Sequence, residues 1–116
     1  MAKITVTKPI IKNFHKNETV SKTLKFTVNE AGLTTSDSVR LRIMQDGGSE
    51  LVFDETFAIV DNSGTLESNV KIKTADSNDW TVDVTYEYQI DFVFDNPDND
   101  SLIIDEGEFK LLRRLS

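Results

Sequence analysis

Cysteine is absent from this chain, and histidine and tryptophan each occur once among 116 residues. Without thiols there is no disulfide, no thiolate nucleophile and no zinc–cysteine site, which fits a reducing compartment. The lone imidazole, His15, lies in a lysine-rich stretch with no nucleophile-elbow motif, so a Ser–His–Asp triad has little to build on. A metal centre based on imidazole needs a second ligand of that kind. No segment approaches the roughly 18 apolar residues of a membrane-spanning helix. The opening "MAKITVTKPIIKNFHK" alternates apolar and charged residues and lacks the unbroken apolar core of a secretory signal. "QDGGSE" has two glycines but no lysine and no following helix, so it is not a phosphate-cradling loop.

Positive charge is scarce in one long region. From Thr74 to Phe109 there are eleven acids and no lysine or arginine, whereas residues 1–25 hold six lysines against Glu18 alone. The chain then ends on Lys110, Arg113 and Arg114. A net charge of −7 argues against nucleic acid as a partner, because such binding needs basic surface to displace counterions. The unequal distribution is compatible with two solvated faces of opposite sign, or with a head-to-tail contact between subunits that closes a ring.

Period-two alternation dominates what is present. "KITVTK" aligns Ile4 with Val6, and Pro9 then marks a bend or an edge. "TVSKTLKFTV" aligns Val20, Leu24, Phe26 and Val28. In "SVRLRIMQ" Val39, Leu41 and Ile43 oppose Arg40 and Arg42. "DGG" (46–48) and "DNSG" (61–64) are turn signals. Between them, "ELVFDETFAIV" carries Leu51, Phe53, Phe57 and Ile59, with a break expected at Asp54 and Glu55. "TLESNVKIKT" supplies Leu66, Val70 and Ile72. From Val82 to Phe94 every even residue is apolar; an unbroken strand of that length would run about 40 Å, so a bend or a change of neighbours is expected. "SLIIDEGEFKLLRRL" is the return strand, with Gly107 as its bulge. Only "NEAGLTTSD" resembles a helix, and it is short and rich in turn formers. About seven or eight short strands without crossover helices predict a single all-β domain over 1–116, an antiparallel sandwich.

Three features invite a functional reading. "DNPDND" gathers Asp95, Asp98 and Asp100 near Asp105 and Glu106, and oxygen-rich clusters bind calcium. The EF-hand spacing fails, however, and Asp, Asn and Pro are also what a hairpin turn requires. Trp80, at the edge of "DSNDW", either plugs the end of the sandwich or stands exposed for binding. Carboxylate pairs are plentiful, but a glycosidase cleft also needs aromatics, and these lie in phase with the core. No catalytic residue and no cofactor is assigned. A monomeric carbohydrate- or calcium-binding module built on Trp80, "DSND" and "DNPDND" is the alternative to an assembly role.

"WTVDVTYEYQIDF" resembles the F-strand region of immunoglobulin-like sandwiches, with Tyr86 as the corner tyrosine and Tyr88 where an antibody domain has cysteine. More specifically, residues 39–115 resemble the N-terminal β-sandwich domain of phage baseplate upper proteins and tail-fibre attachment modules. The resemblance rests on "TYEYQIDFVFD", a short acidic turn, and the return strand with Gly107-Glu108-Phe109-Lys110-Leu111. It implies an immunoglobulin-like fold, no catalytic residues and no cofactor. It also implies a structural or adaptor role in a virion; with no secretory signal read in the opening residues, synthesis in the host cytoplasm is expected. Family members continue into fibre or receptor-binding domains, and a chain of this length fits a free-standing adaptor better. The partners implied are other virion proteins or copies of the chain itself, with no nucleic acid and no membrane. Lys3, Lys8, Lys12, Trp80, Asp98 and Asp100 are the expected contact residues.

Overall fold

A computed structural model describes residues 9–26, 34–95, 97–98 and 100–114. Eight strands follow in order: β1 Phe14–His15, β2 Val20–Phe26, β3 Ser38–Gln45, β4 Leu51–Ala58, β5 Val60–Asn62, β6 Thr65–Ile72, β7 Thr85–Val93 and β8 Ser101–Leu112. They form a five-stranded sheet, β1-β8-β7-β3-β4, and a three-stranded sheet, β2-β6-β5. Every pairing is antiparallel except β1 with β8. The order β8-β7-β3 is that of the G, F and C strands of an immunoglobulin sandwich, and β2-β6-β5 that of B, E and D. The expected all-β sandwich is therefore present.

The alternation explains the layering, because successive strand residues face opposite sides. Val39, Leu41 and Ile43 of β3 and Tyr86, Tyr88, Ile90 and Phe92 of β7 all point into the core. Leu24, Phe26, Val70 and Ile72 come from the second sheet to meet them. Phe26 packs edge-on against Phe92 with ring centroids 5.4 Å apart, joining the two layers. Both turn signals close hairpins. At the second, Ser63 (φ 54°) and Gly64 (φ 94°) lie between the paired Asn62 and Thr65, the two positive φ values of a type I′ turn.

Several local expectations need correction. β7 begins at Thr85, not Val82, because Asp83 adopts φ 62° and interrupts the extended chain. β4 runs unbroken through Asp54 and Glu55. Its irregularity lies at Val52, since Ile43 pairs with Phe53 and Met44 with Leu51. That extra residue shifts the phase, and Leu51 ends up exposed instead of in the core. Gly107 is no bulge; it sits in register with Tyr88, and a Cβ there would lie 3.3 Å from both Cε1 and Oη of that ring. The bulge of β8 is at Ile104, where the register passes from Ile90–Asp105 to Asp91–Ile103. The one helical turn among the described residues, a 3-10 turn, falls at Thr74–Ser77, in what reads as a polar loop. Ile4, Val6, Val28 and most of "NEAGLTTSD" lie outside the described residues.

Candidate functional site

The acidic end of the β7–β8 hairpin is closed by its backbone. The Phe94 amide donates to the Asp100 carbonyl at 2.8 Å, with Pro97 and Asp98 in the turn between them. The Asp95 amide donates to Asp37 Oδ1 at 2.8 Å, tying the hairpin to the start of β3. Asp95, Asp98 and Asp100 do not converge into a group of three carboxylates that one ion would bridge, among the described residues. Their side chains are exposed.

Trp80 is 5% exposed and closes the end of the sandwich. Its ring lies 6.3 Å from Phe14, 6.3 Å from Phe53 and 5.5 Å from Tyr86. A platform for stacking a sugar needs an open aromatic face, so Trp80 is corrected from a contact residue to a core residue. Tyr86 makes the tyrosine-corner arrangement: its Oη accepts from the Thr81 amide at 2.8 Å and donates to the Thr81 carbonyl at 3.4 Å.

The outer face of the five-stranded sheet gathers side chains that are far apart in sequence. The register sets Asp54, Arg42, Gln89 and Glu106 in one row, and Leu51, Met44, Glu87 and Glu108 in the next. Arg40 holds Asp54 through two bonds of 2.8 and 2.7 Å, and this keeps the Asp54 carboxyl below its ordinary range. Arg42 donates to Asp91 at 2.8 Å. Beside these pairs is a depression of about 620 Å³ lined by Met44, Leu51, Glu87, Glu106 and Glu108.

Asp46 stands at the rim of that face, and carboxylate oxygens of Asp46, Glu87 and Glu108 lie within 4.8 Å of one another. These are the residues able to share a cation. The hydrogen bond with Asp46, then partial burial and the charges of Asp46 and Glu108, push Glu87 above its ordinary 4.5. A carboxyl raised in the folded state stabilises the fold fully below the unfolded value, and that contribution is lost as pH rises through the folded value. Glu87→Gln is therefore expected to raise the melting temperature at pH 7, with the gain vanishing below about pH 4. A gain of equal size at pH 7 and pH 4 would show that charge crowding is not its source.

A second depression, about 380 Å³, lies at the far end of β8, lined by His15, Glu18, Arg113 and Arg114. Arg114 donates to the Asn17 carbonyl at 2.7 Å. Asn17 itself takes φ 65° and is held by Ser77 Oγ, the Thr74 carbonyl and Asn78 Oδ1. Arg113 stays largely exposed, 3.8 Å from Asp83.

Of the expected contact lysines, Lys12 is exposed on the segment leading to β1, and Lys3 and Lys8 lie outside the described residues. No ion pair among the described residues joins a lysine of 1–25 to an acid of 74–109. Sequence reading missed the Asp46–Glu87–Glu108 group, because it forms only through the β7–β8 register and the first hairpin turn. It set Asp105 beside the acidic turn, whereas Asp105 is buried and accepts 2.8 Å bonds from Tyr88 Oη and the Ile10 amide. The only sequence signal for the group was the polar phase of two adjacent strands, which carries Glu87 and Glu108, with Asp46 in a neighbouring turn. In comparison with known proteins, the chain matches no family model, no curated protein and no solved structure.

Proposed function

We propose that the domain works by assembly, as a non-enzymatic structural or adaptor protein of a phage virion that docks on other virion proteins or on copies of itself. The observation that supports assembly is a set of large apolar side chains left 40–55% exposed on strands: Leu51 and Val52 of β4, Val60 of β5, and Leu102 and Ile103 of β8. β4 and β5 are edge strands. β1 pairs only with Leu111 and Leu112, so among the described residues no strand pairs with the first half of β8 on its outer side. Apolar side chains on open strand edges favour contact with another chain. The virion assignment draws on the baseplate-type resemblance of residues 39–115.

The test is sedimentation of phage particles from an induced lysate of cells that carry the gene, followed by peptide mapping. Near-stoichiometric recovery in the particles, lost in a folded Leu102→Glu/Ile103→Glu variant, is the expected result. If the chain stays in the supernatant, the virion reading fails. If the variant is incorporated as well as the wild type, β8 is not the contact.

A further inference from the structure

The tip of the β7–β8 hairpin is acidic, whereas Arg113 and Arg114 follow β8 past its other end, and the geometry points to a head-to-tail contact in which the acidic hairpin tip of one copy enters the arginine-lined depression of the next. This rests on the assembly reading and specifies one of its contacts. The register places Val93 opposite Ser101 and Thr85 opposite Lys110. The tip, with Asp95 and Asp98 exposed, is thus at one end of the hairpin, and Arg113 and Arg114 follow at the other. The twelve residues of β8 separate them by roughly 40 Å. That distance prevents the two patches of one chain from meeting, and leaves them for different copies.

The basic depression has the chemistry of a carboxylate receptor. Guanidinium groups bind carboxylates through paired, charge-assisted N–H donors. Arg114 is fixed by its bond to the Asn17 carbonyl, which leaves its other donors available. The 3.8 Å contact of Arg113 with Asp83 joins two largely exposed groups, and such pairs hold weakly. Glu18 lines the same depression and pairs with His15 at 3.7 Å, so it limits the positive charge without cancelling both arginines. The tip offers the exposed Asp95 and Asp98 on a turn that the Phe94–Asp100 bond closes. Because the two patches differ, the contact is heterologous and generates a ring or an open filament.

Light scattering on a sizing column tests this with the full chain, Arg113→Glu/Arg114→Glu, Asp95→Lys/Asp98→Lys, and an equimolar mixture of the two variants. Circular dichroism checks that each variant is folded. The wild type is expected to associate with rising concentration, and roughly tenfold more weakly at high salt. Each variant alone should be monomeric, since the tip and the depression then carry charges of the same sign, and the mixture should associate again. A wild type that remains monomeric at every concentration overturns the head-to-tail contact. Association that persists in either variant, or a mixture that stays monomeric, overturns the pairing while leaving assembly through the apolar edges intact.

Discussion

Phe92→Asp is expected to leave no folded domain. Phe92 is fully buried, packed between Phe26 of the facing sheet and Phe94. Aspartate would put an unpaired charge where only apolar side chains meet, and remove an aromatic that links the two layers. Loss of a core Phe alone costs about 3–5 kcal/mol, and the buried charge adds to that. A small domain has only about 5–15 kcal/mol in total. Far-UV circular dichroism with a thermal melt reads the outcome. Val60→Lys is the control: the site is exposed and pairs with Glu67 across the β5–β6 hairpin, so its effect should stay within about 0.5 kcal/mol. A cooperative melt of Phe92→Asp near the wild-type temperature would mean that β7 presents its other face to the core.

The second large effect is expected at Asp105. Its Oδ2 accepts from both Tyr88 Oη and the Ile10 amide. Asp105→Ala leaves two buried donors without a partner, which should cost about 3 kcal/mol. Asp105→Asn keeps an oxygen able to accept from both, and should cost about 1 kcal/mol or less. Similar losses in the two variants would show that the carboxylate charge matters more than its hydrogen bonds. The same site predicts alkaline behaviour. Burial first, and then the bond to Asp105, push Tyr88 up to about 12. Stability gained by keeping the phenol protonated is complete below pH 10 and is lost as pH rises towards 12. Tyr88→Phe should flatten that part of the stability curve, as followed by denaturant melts across it.

The strand phases were legible because one face of each sheet is buried and the other is not. Val39, Leu41 and Ile43 opposite Arg40 and Arg42 state the inside and outside of β3 without ambiguity. The same holds for Tyr86 to Phe92. What could not be read was where the count slips. A bulge needs a partner strand to be defined, so Val52 and Ile104 look like ordinary members of apolar runs, while Asp54, Glu55 and Gly107 look like breaks. Each slip matters at the surface or in the core: one exposes Leu51, and the other turns Asp105 inward to its two donors. The charged groups were legible as composition but not as neighbours, because Asp46, Glu87 and Glu108 are brought together by a register that no local pattern encodes.

The parallel pairing of β1 with β8 also has a consequence for synthesis. Phe14 aligns with Leu111, and the Ile10 amide reaches Asp105, 95 residues away in the chain. Closing the five-stranded sheet therefore joins segments far apart in the chain. Long-range pairing is slow, because the entropy of loop closure is lost before the contacts are gained. On the ribosome, the β3–β4 and β5–β6 hairpins are available early, but the parallel partner of Phe14 arrives only with Leu111. Until then the apolar side chains of Ile10, Ile11 and Phe14 are only partly covered, and that interval is when a trigger-type chaperone would have most to bind.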